Sequence, residues 1–244
     1  MVHAQEDAYD DRCTVCGWTG RFVKDERPTR ESFCCASCKA SLRYQGQARV
    51  LLSLFSRHEA ATVAELVKEP EFAALDVWEP GELGPFRRHF RSLKRYQTSS
   101  FWPDVLPGAT HGGVRCEDLM DLSFEDASLD LIITSDVFEH VRKPWDGFAE
   151  VRRVLRPGGA HVFSLPLTWP MREQTVARVD VSGPDDVFLL DPAYHKIHLV
   201  YNDFGLDLLE GLGAMGLETT AVRFTSSSDL AERLLSFYSV KASG

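Results

Sequence analysis

A chain of 244 residues, 44% hydrophobic and 26% charged, has room for one full α/β domain and a small additional module. The formal net charge is −9: residues 1–49 carry 8 Lys/Arg against 7 Asp/Glu, and the remainder 19 against 29. Neither part is a basic surface, so no nucleic-acid partner is expected. The opening MVHAQEDAYDD is polar and acidic, and no apolar run approaches the ~20 residues of a membrane span, so a soluble cytoplasmic protein is expected. Six cysteines in that setting point to metal before disulfides.

Residues 1–12 read as a loose tail. Residues 13–45 show little periodicity and little aliphatic content, so this segment needs a staple. Cys13-x2-Cys16 and Cys35-x2-Cys38, separated by 18 residues, supply one. Each knuckle can present two thiolates to one tetrahedral ion, and the expected metal is Zn²⁺. Gly17 follows the first knuckle, where a positive φ is useful. Cys34 is a competing ligand through Cys34-x3-Cys38; Cys35 keeps the two knuckles alike. Cys116 reads as a small core residue.

Residues 46–68 carry Ala, Leu and Val at three and four spacing and read as one helix, within a linker over 46–71. From residue 72 the pattern alternates. Strands are expected at 74–79, 96–101, 114–117, 130–135, 160–165 and 219–224. Helices are expected at 86–93, 144–155 and 206–215. In the second helix Trp145, Phe148, Val151 and Leu155 share one face, Pro144 suits its first turn, and Gly158 and Gly159 stop it. This alternation predicts an α/β fold with a mostly parallel sheet and helices on both faces; taken with the resemblance carried by the motifs that follow, it implies seven strands, with a last hairpin bringing in one antiparallel strand. Residues 166–200, rich in proline and aromatics, read as a lid.

Five stretches carry a resemblance: Glu79-Pro-Gly81-Glu-Leu-Gly84, Tyr96-Gln-Thr-Ser-Ser100-Phe101, Glu117-Asp118-Leu119-Met-Asp-Leu-Ser-Phe, Asp130-Leu-Ile-Ile-Thr-Ser135-Asp136-Val-Phe-Glu139-His140, and Val154-Leu-Arg-Pro-Gly-Gly159. Together they resemble class I S-adenosylmethionine-dependent methyltransferases of the type 11 kind over residues 72–165, and more weakly over 191–224. The cysteine segment resembles zinc ribbons found ahead of some bacterial members. The resemblance implies a Rossmann-like sheet over 72–244, preceded by a ribbon over 1–45, with the donor in the crevice beyond the C-terminal strand ends. It implies that Glu79 meets the cationic end of the donor and that Gly81 and Gly84 let backbone approach it. Ser100, beside Phe101, stands where the family usually has an acid for the ribose. Asp118 and Leu119 would take the adenine, and Ser135 and Asp136 would emerge under the donor.

His140 is the candidate catalytic residue, as base or as orienter of the acceptor. The lid supplies Trp169, Met171, Arg172, Tyr194, His195 and His198, a set suited to a small polar or cyclic acceptor. Fold alone does not choose the acceptor. Two other readings share these residues: a non-catalytic binding protein that keeps the fold, and a methyltransferase whose ribbon docks a macromolecule.

Overall fold

The computed structural model describes residues 7–81, 83–167, 171–223 and 235–242. Trp169, Glu82, Phe224 and residues 1–6 of the expected tail lie outside them. The first elements are β1 (Ala8–Arg12) and β2 (Thr19–Val23), an antiparallel hairpin. The tail expectation therefore fails for residues 8–12. The ring of Tyr9 stacks on Phe22, and burying that pair gives the edge strand a reason to order.

The expected single helix over 46–68 is three: α1 (Leu42–Phe55), α2 (Val63–Leu66) and α3 (Pro70–Ala73). The break follows Ser56. The Glu69 carboxylate accepts from Ser56 Oγ and from the backbone N–H of Arg57 and His58, giving the chain an alternative to continued helix. Thr62 then caps α2 by accepting from Glu65 N–H.

The sheet strands follow: β3 (Val77–Pro80), α4 (Arg87–Phe90), β4 (Tyr96–Ser100), β5 (Thr110–His111), β6 (Val114–Cys116), β7 (Leu129–Ser135), α5 (Pro144–Val154) and β8 (Leu155–Ser164). The segment after β8 holds β9 (Val176–Ala177), β10 (Val179–Asp180), β11 (Val187–Phe188), β12 (Tyr194–His195), β13 (His198–Leu199) and β14 (Asn202–Asp203), all two-residue strands paired among themselves. Then come α6 (Asp207–Ala214), β15 (Leu217–Arg223) and β16 (Leu235–Lys241).

One sheet of eight strands, rather than seven, runs β15-β16-β8-β7-β3-β4-β6-β5. The five strands β8, β7, β3, β4 and β6 are parallel, β16 is antiparallel to both its neighbours, and β5 adds a short antiparallel edge. This is a Rossmann-like mixed sheet. Helices cover both faces: Val77, Leu131, Ile133 and Val162 pack with residues of α1 to α4, while Trp78, Ile132 and Phe163 pack with α5 and α6. The first of these cores also takes in Cys13, Val15, Phe22, Phe33 and Cys35, so the cysteine module and the sheet share one core.

Two smaller expectations change. Helix α5 stops at Val154, before Gly158 and Gly159, because β8 begins at Leu155 and already pairs there with Leu129. Gly159 serves a close approach instead: a Cβ there would lie 2.9 Å from the Arg156 carbonyl and 3.2 Å from those of Leu129 and Asp130. The strand expected from residue 74 starts at Val77, since Ala74 still caps α3.

Two glycines of α6 separate packing from propensity. A Cβ on Gly211 would lie 2.6 Å from the Trp145 ring, whereas one on Gly213 meets nothing within 4 Å. Gly211→Ala should cost about 1–3 kcal/mol through overpacking, and Gly213→Ala should add about 0.5–1 kcal/mol through helix propensity. Urea midpoints at constant m distinguish them, and shifts of the same sign would contradict the Trp145 contact.

Candidate functional site

The C-terminal ends of β3, β4, β6 and β7 lie on one edge of the sheet because these strands are parallel and adjacent. Glu79 and Ser135 therefore share an edge. Glu79 is buried, and Tyr96 Oη donates to its Oε2 at 2.6 Å. Burial pushes the Glu79 carboxyl up to about 7, against the Tyr96 hydrogen bond and the Arg87 charge. Gly81 has φ +102 and donates to the Ser99 carbonyl at 2.7 Å, and the space beside its Cα is open for 4 Å. A Cβ on Gly84 would stand 3.4 Å from Glu79 Oε1 and 3.8 Å from Tyr44 Oη of α1.

Across the edge, the Ser100 carbonyl accepts from Glu117 N–H, and the Phe101 ring is exposed. Glu117 itself is buried and committed: Arg115 pairs with it, and Ser123 donates both N–H and Oγ–H to it. Asp118 Oδ1 accepts from Met120 N–H at 2.8 Å, closing an Asx turn that sends Leu119 into the core under α5.

Ser135 and Asp136 are engaged by residues from the first 50 positions, a pairing that sequence reasoning missed. Ser135 Oγ donates to Gln47 Oε1 at 2.7 Å, while Gln47 Nε2 donates to the Thr134 carbonyl at 2.8 Å. Asp136 sits at φ +53, and its carboxylate accepts two bonds from Arg30, at 2.6 and 2.8 Å, and one from Ser164. Arg43 stands 3.3 Å away and also holds Glu31. Burial alone would raise the Asp136 carboxyl, but Arg30 and Arg43 outweigh it and hold it below the usual carboxylate range. The i to j separations here are 106 for Arg30–Asp136 and 88 for Gln47–Ser135, so no local spacing announces them.

Beyond β7 a 3-10 turn, Phe138–His140, carries a second polar group. His140 Nδ1 lies 2.7 Å from the Leu199 carbonyl, which can only accept, so Nδ1 bears a proton and, in the neutral ring, Nε2 is the nitrogen with the lone pair. His195 Nδ1 approaches that Nε2 at 3.2 Å. Glu139 beneath them is 0% exposed, and neither carboxylate oxygen has a hydrogen-bond partner among the described residues. Glu139 holds the His195 imidazole above its ordinary range. Of the other lid residues, Tyr194 is exposed and Arg172 stands 3.8 Å from Asp203.

The four knuckle cysteines converge. Cys13 and Cys38 sulfurs are 3.7 Å apart, Cys16 and Cys35 3.6 Å, and all four lie within 4.8 Å of one another. Sulfurs about 2.3 Å from a tetrahedral zinc ion stand about 3.8 Å apart, so the set fits such an ion. The Cys38 hydrogen bond pulls the Cys13 thiol down to about 5, against burial. Gly17 has φ +80, as its knuckle turn needs. Cys34 points elsewhere, with Arg27 donating to its sulfur and the Glu31 carbonyl accepting from it. Cys116 is buried against the Trp102 and Val105 carbonyls.

Comparison with known proteins agrees in kind. Residues 92–163, from just after α4 into β8, match the family model of a methyltransferase domain. The chain is 51% identical over 45 residues to an uncharacterized methyltransferase of Mycobacterium avium, covering 18% of each chain. It is 45% identical over 53 residues to an uncharacterized 37.1 kDa protein in transposon TN4556 of Streptomyces fradiae, covering 22% of this chain and 15% of the other. The chain thus matches these relatives over less than a fifth of their length. Among solved structures, an S-adenosylmethionine-dependent methyltransferase of Mesorhizobium loti is similar at 20% identity and TM-score 0.42, covering 68% of this chain and 89% of that one. A sugar N-methyltransferase of Streptoalloteichus is similar at 14% identity and TM-score 0.46, covering 74% and 85%.

The ion pair at the edge has a measurable weight. Asp136→Asn keeps side-chain size and tolerance of a left-handed φ while leaving two guanidinium groups against a neutral amide. It should cost about 3 kcal/mol, the lower end for breaking a buried pair. Arg21→Ala, whose 3.8 Å pair with Asp10 is exposed on both sides, should change stability by less than about 0.5 kcal/mol. Urea denaturation of both variants checks this; an Asp136→Asn midpoint equal to that of the parent would remove the pair from the account.

Proposed function

We propose that the protein is an S-adenosylmethionine-dependent methyltransferase acting on a small-molecule acceptor by O- or N-methylation, with one structural zinc ion in the four-cysteine module. The observation that carries the reading is that the stretch matching a methyltransferase domain contributes four of the five parallel strands, and their ends meet Glu79 and Gly81 at one edge.

The residues fit the donor. A buried carboxyl that titrates near neutrality is drawn into its charged form by a cationic partner, which suits Glu79 to the sulfonium or ammonium end. The open space beside Gly81 admits a ligand against the backbone. In this reading Ser100 would meet the ribose, Asp118 the adenine amine and Ser135 the floor of the site, while Leu119 packs in the core beneath them. Asp136 acts here as a positioning residue, since its carboxylate is already engaged by Arg30, Arg43 and Ser164. When bound, the donor supplies an electrophilic methyl group. The chain's part is to bind it at the strand ends, exclude water from it, and hold the acceptor's heteroatom in line, which is where most of the acceleration arises. His140 meets the acceptor, because Leu199 fixes its tautomer and leaves the Nε2 lone pair available.

The four thiols fit a closed structural site with no exchangeable position. That role accords with a module whose core merges with that of the sheet. A cytoplasmic setting, in which these thiols stay reduced, belongs to the same proposal. No helix among the described residues is long and apolar enough to cross a membrane.

Calorimetric titration with S-adenosylmethionine and S-adenosylhomocysteine tests the donor site. Both should bind, and Asp118→Ala should weaken binding by about tenfold to a hundredfold, the loss of a charged hydrogen-bond partner. Asp126→Ala, at an exposed carboxylate paired with Arg153, should leave affinity unchanged. Absence of binding at millimolar donor would favour the non-catalytic reading, and equal effects of the two variants would dissolve the pocket.

The metal is tested through its thiols. Titration with an organomercurial should release one zinc per four reacting thiols. Cys34→Ser should retain that zinc and Cys35→Ser should lose it. The reverse outcome would replace Cys35 by Cys34 in the ligand set.

A further inference from the structure

The three atoms His140 Nε2, His195 Nδ1 and Glu139 Oε1 form a nearly equilateral triangle. Its edges are 3.2 Å between the two imidazoles, 3.5 Å from His140 to Glu139 and 3.4 Å from His195 to Glu139. Ligand atoms held about 2.0–2.1 Å from a tetrahedral ion stand about 3.3 Å apart, so the triangle has the dimensions of three corners around such an ion. We propose that Glu139, His140 and His195 form a second metal site, separate from the cysteines, that takes a zinc-class divalent cation with one position open toward the acceptor.

Three further observations carry this. Glu139 is fully buried, and neither of its oxygens has a hydrogen-bond partner among the described residues. A carboxylate in that position is costly unless a cation or proton compensates it. The two imidazole nitrogens stand 3.5 and 3.4 Å from it, outside hydrogen-bond geometry to the carboxylate. Next, His140 donates its other ring nitrogen to the Leu199 carbonyl at 2.7 Å, which presents Nε2 as a ligand lone pair. Metal-binding histidines are oriented in this way by their outer partner. Finally, Tyr201 N–H donates to the Glu139 carbonyl at 2.7 Å, so the chain returning from β13 clamps the turn that bears two of the ligands.

The donor set selects the class of ion. Two imidazoles and one carboxylate suit zinc and its neighbours, whereas magnesium and calcium prefer oxygen throughout. Three protein ligands leave a fourth position, the pattern of zinc sites that contact substrate rather than those that only brace a fold. His195 is half exposed, which gives the site access to solvent. His198, its ring centroid 5.6 Å from that of His140, lines the same side. In use, the ion would bind the acceptor's oxygen or nitrogen and lower its pKa, and the His140 lone pair then serves through the metal. That use rests on the methyltransferase reading; the binding of the ion does not.

The test counts metal on the intact chain. Protein dialysed against micromolar Zn²⁺ and then against metal-free buffer should hold two equivalents by elemental analysis. His195→Ala, at a half-exposed position, and Glu139→Gln, a buried isostere, should each hold one fewer. His111→Ala, at an exposed histidine in β5, should match the parent. With Co²⁺ as probe, the equivalent lost in those variants should show a d–d absorption band without thiolate-to-cobalt charge transfer, which assigns it to the nitrogen and oxygen ligands. Equal counts in parent and both variants, or a lost equivalent that carries the thiolate band, would overturn the site. The donor titration is independent: its failure would leave the metal difference in place, and a missing metal difference would leave donor binding in place.

Discussion

The arrangement of this molecule depends on one buried ion pair. The chain leaves β7 at Asp136 in a left-handed conformation, and there its carboxylate receives Arg30 from the cysteine module and Arg43 from α1. Three charges are withdrawn from water together, so each is tolerable only while the others remain. Gln47 adds a second tie one residue earlier, by bridging Ser135 and the Thr134 carbonyl. The edge of the sheet where a donor would sit is thus finished by residues from the first fifth of the chain. A module stapled by the proposed zinc would hold Arg30 in a fixed place, which would link the metal to the proposed active site through Asp136.

The charge pattern along that edge is uneven in a useful way. Asp136 is compensated and stays ionised, held down by two arginines. Glu79 is buried with one tyrosine donor and titrates near neutrality. Glu139 is buried with no hydrogen bond to its carboxylate among the described residues. Different surroundings suit neighbouring carboxyls to different roles. The first braces the fold, the second would suit the proposed cationic donor, and the third the proposed cation.

Much of the sheet was legible in the sequence because its signals are local. The run from Asp130 to Ser135 is an apolar stretch buried on both faces, the helix from Pro144 shows one apolar stripe, and the cysteine knuckles announce themselves by spacing. What escaped was set by distant partners. The helix break at Ser56 is made by Glu69, thirteen residues on, and the strand β1 exists because Phe22 and Phe33 offer Tyr9 a place to pack. Strand β16 alternates too weakly to be seen alone, and it orders between β15 and β8, burying Phe237 on Phe163. Among the candidate site residues, position along a strand end was readable, but engagement was not. Nothing near Asp136 in sequence foretells a guanidinium from residue 30, and nothing near Asp118 shows whether its carboxylate turns back to Met120.

The lid shows the same logic from the other side. Its short strands pair only with one another, so they add little to the sheet. Their hold on the body comes through polar contacts: Leu199 accepts from His140, Tyr201 donates to the Glu139 carbonyl, and Arg142 reaches Asp186. Two of these three contacts land on the turn that carries Glu139 and His140. An element attached in part at the residues it would serve can respond to what those residues bind, because a ligand there changes some of the contacts that hold the element down. His195 makes the coupling direct, since it belongs to the lid and touches His140. Filling the space between Glu139 and the two imidazoles would therefore order the acceptor side from beneath, just as Asp136 orders the donor side from the module.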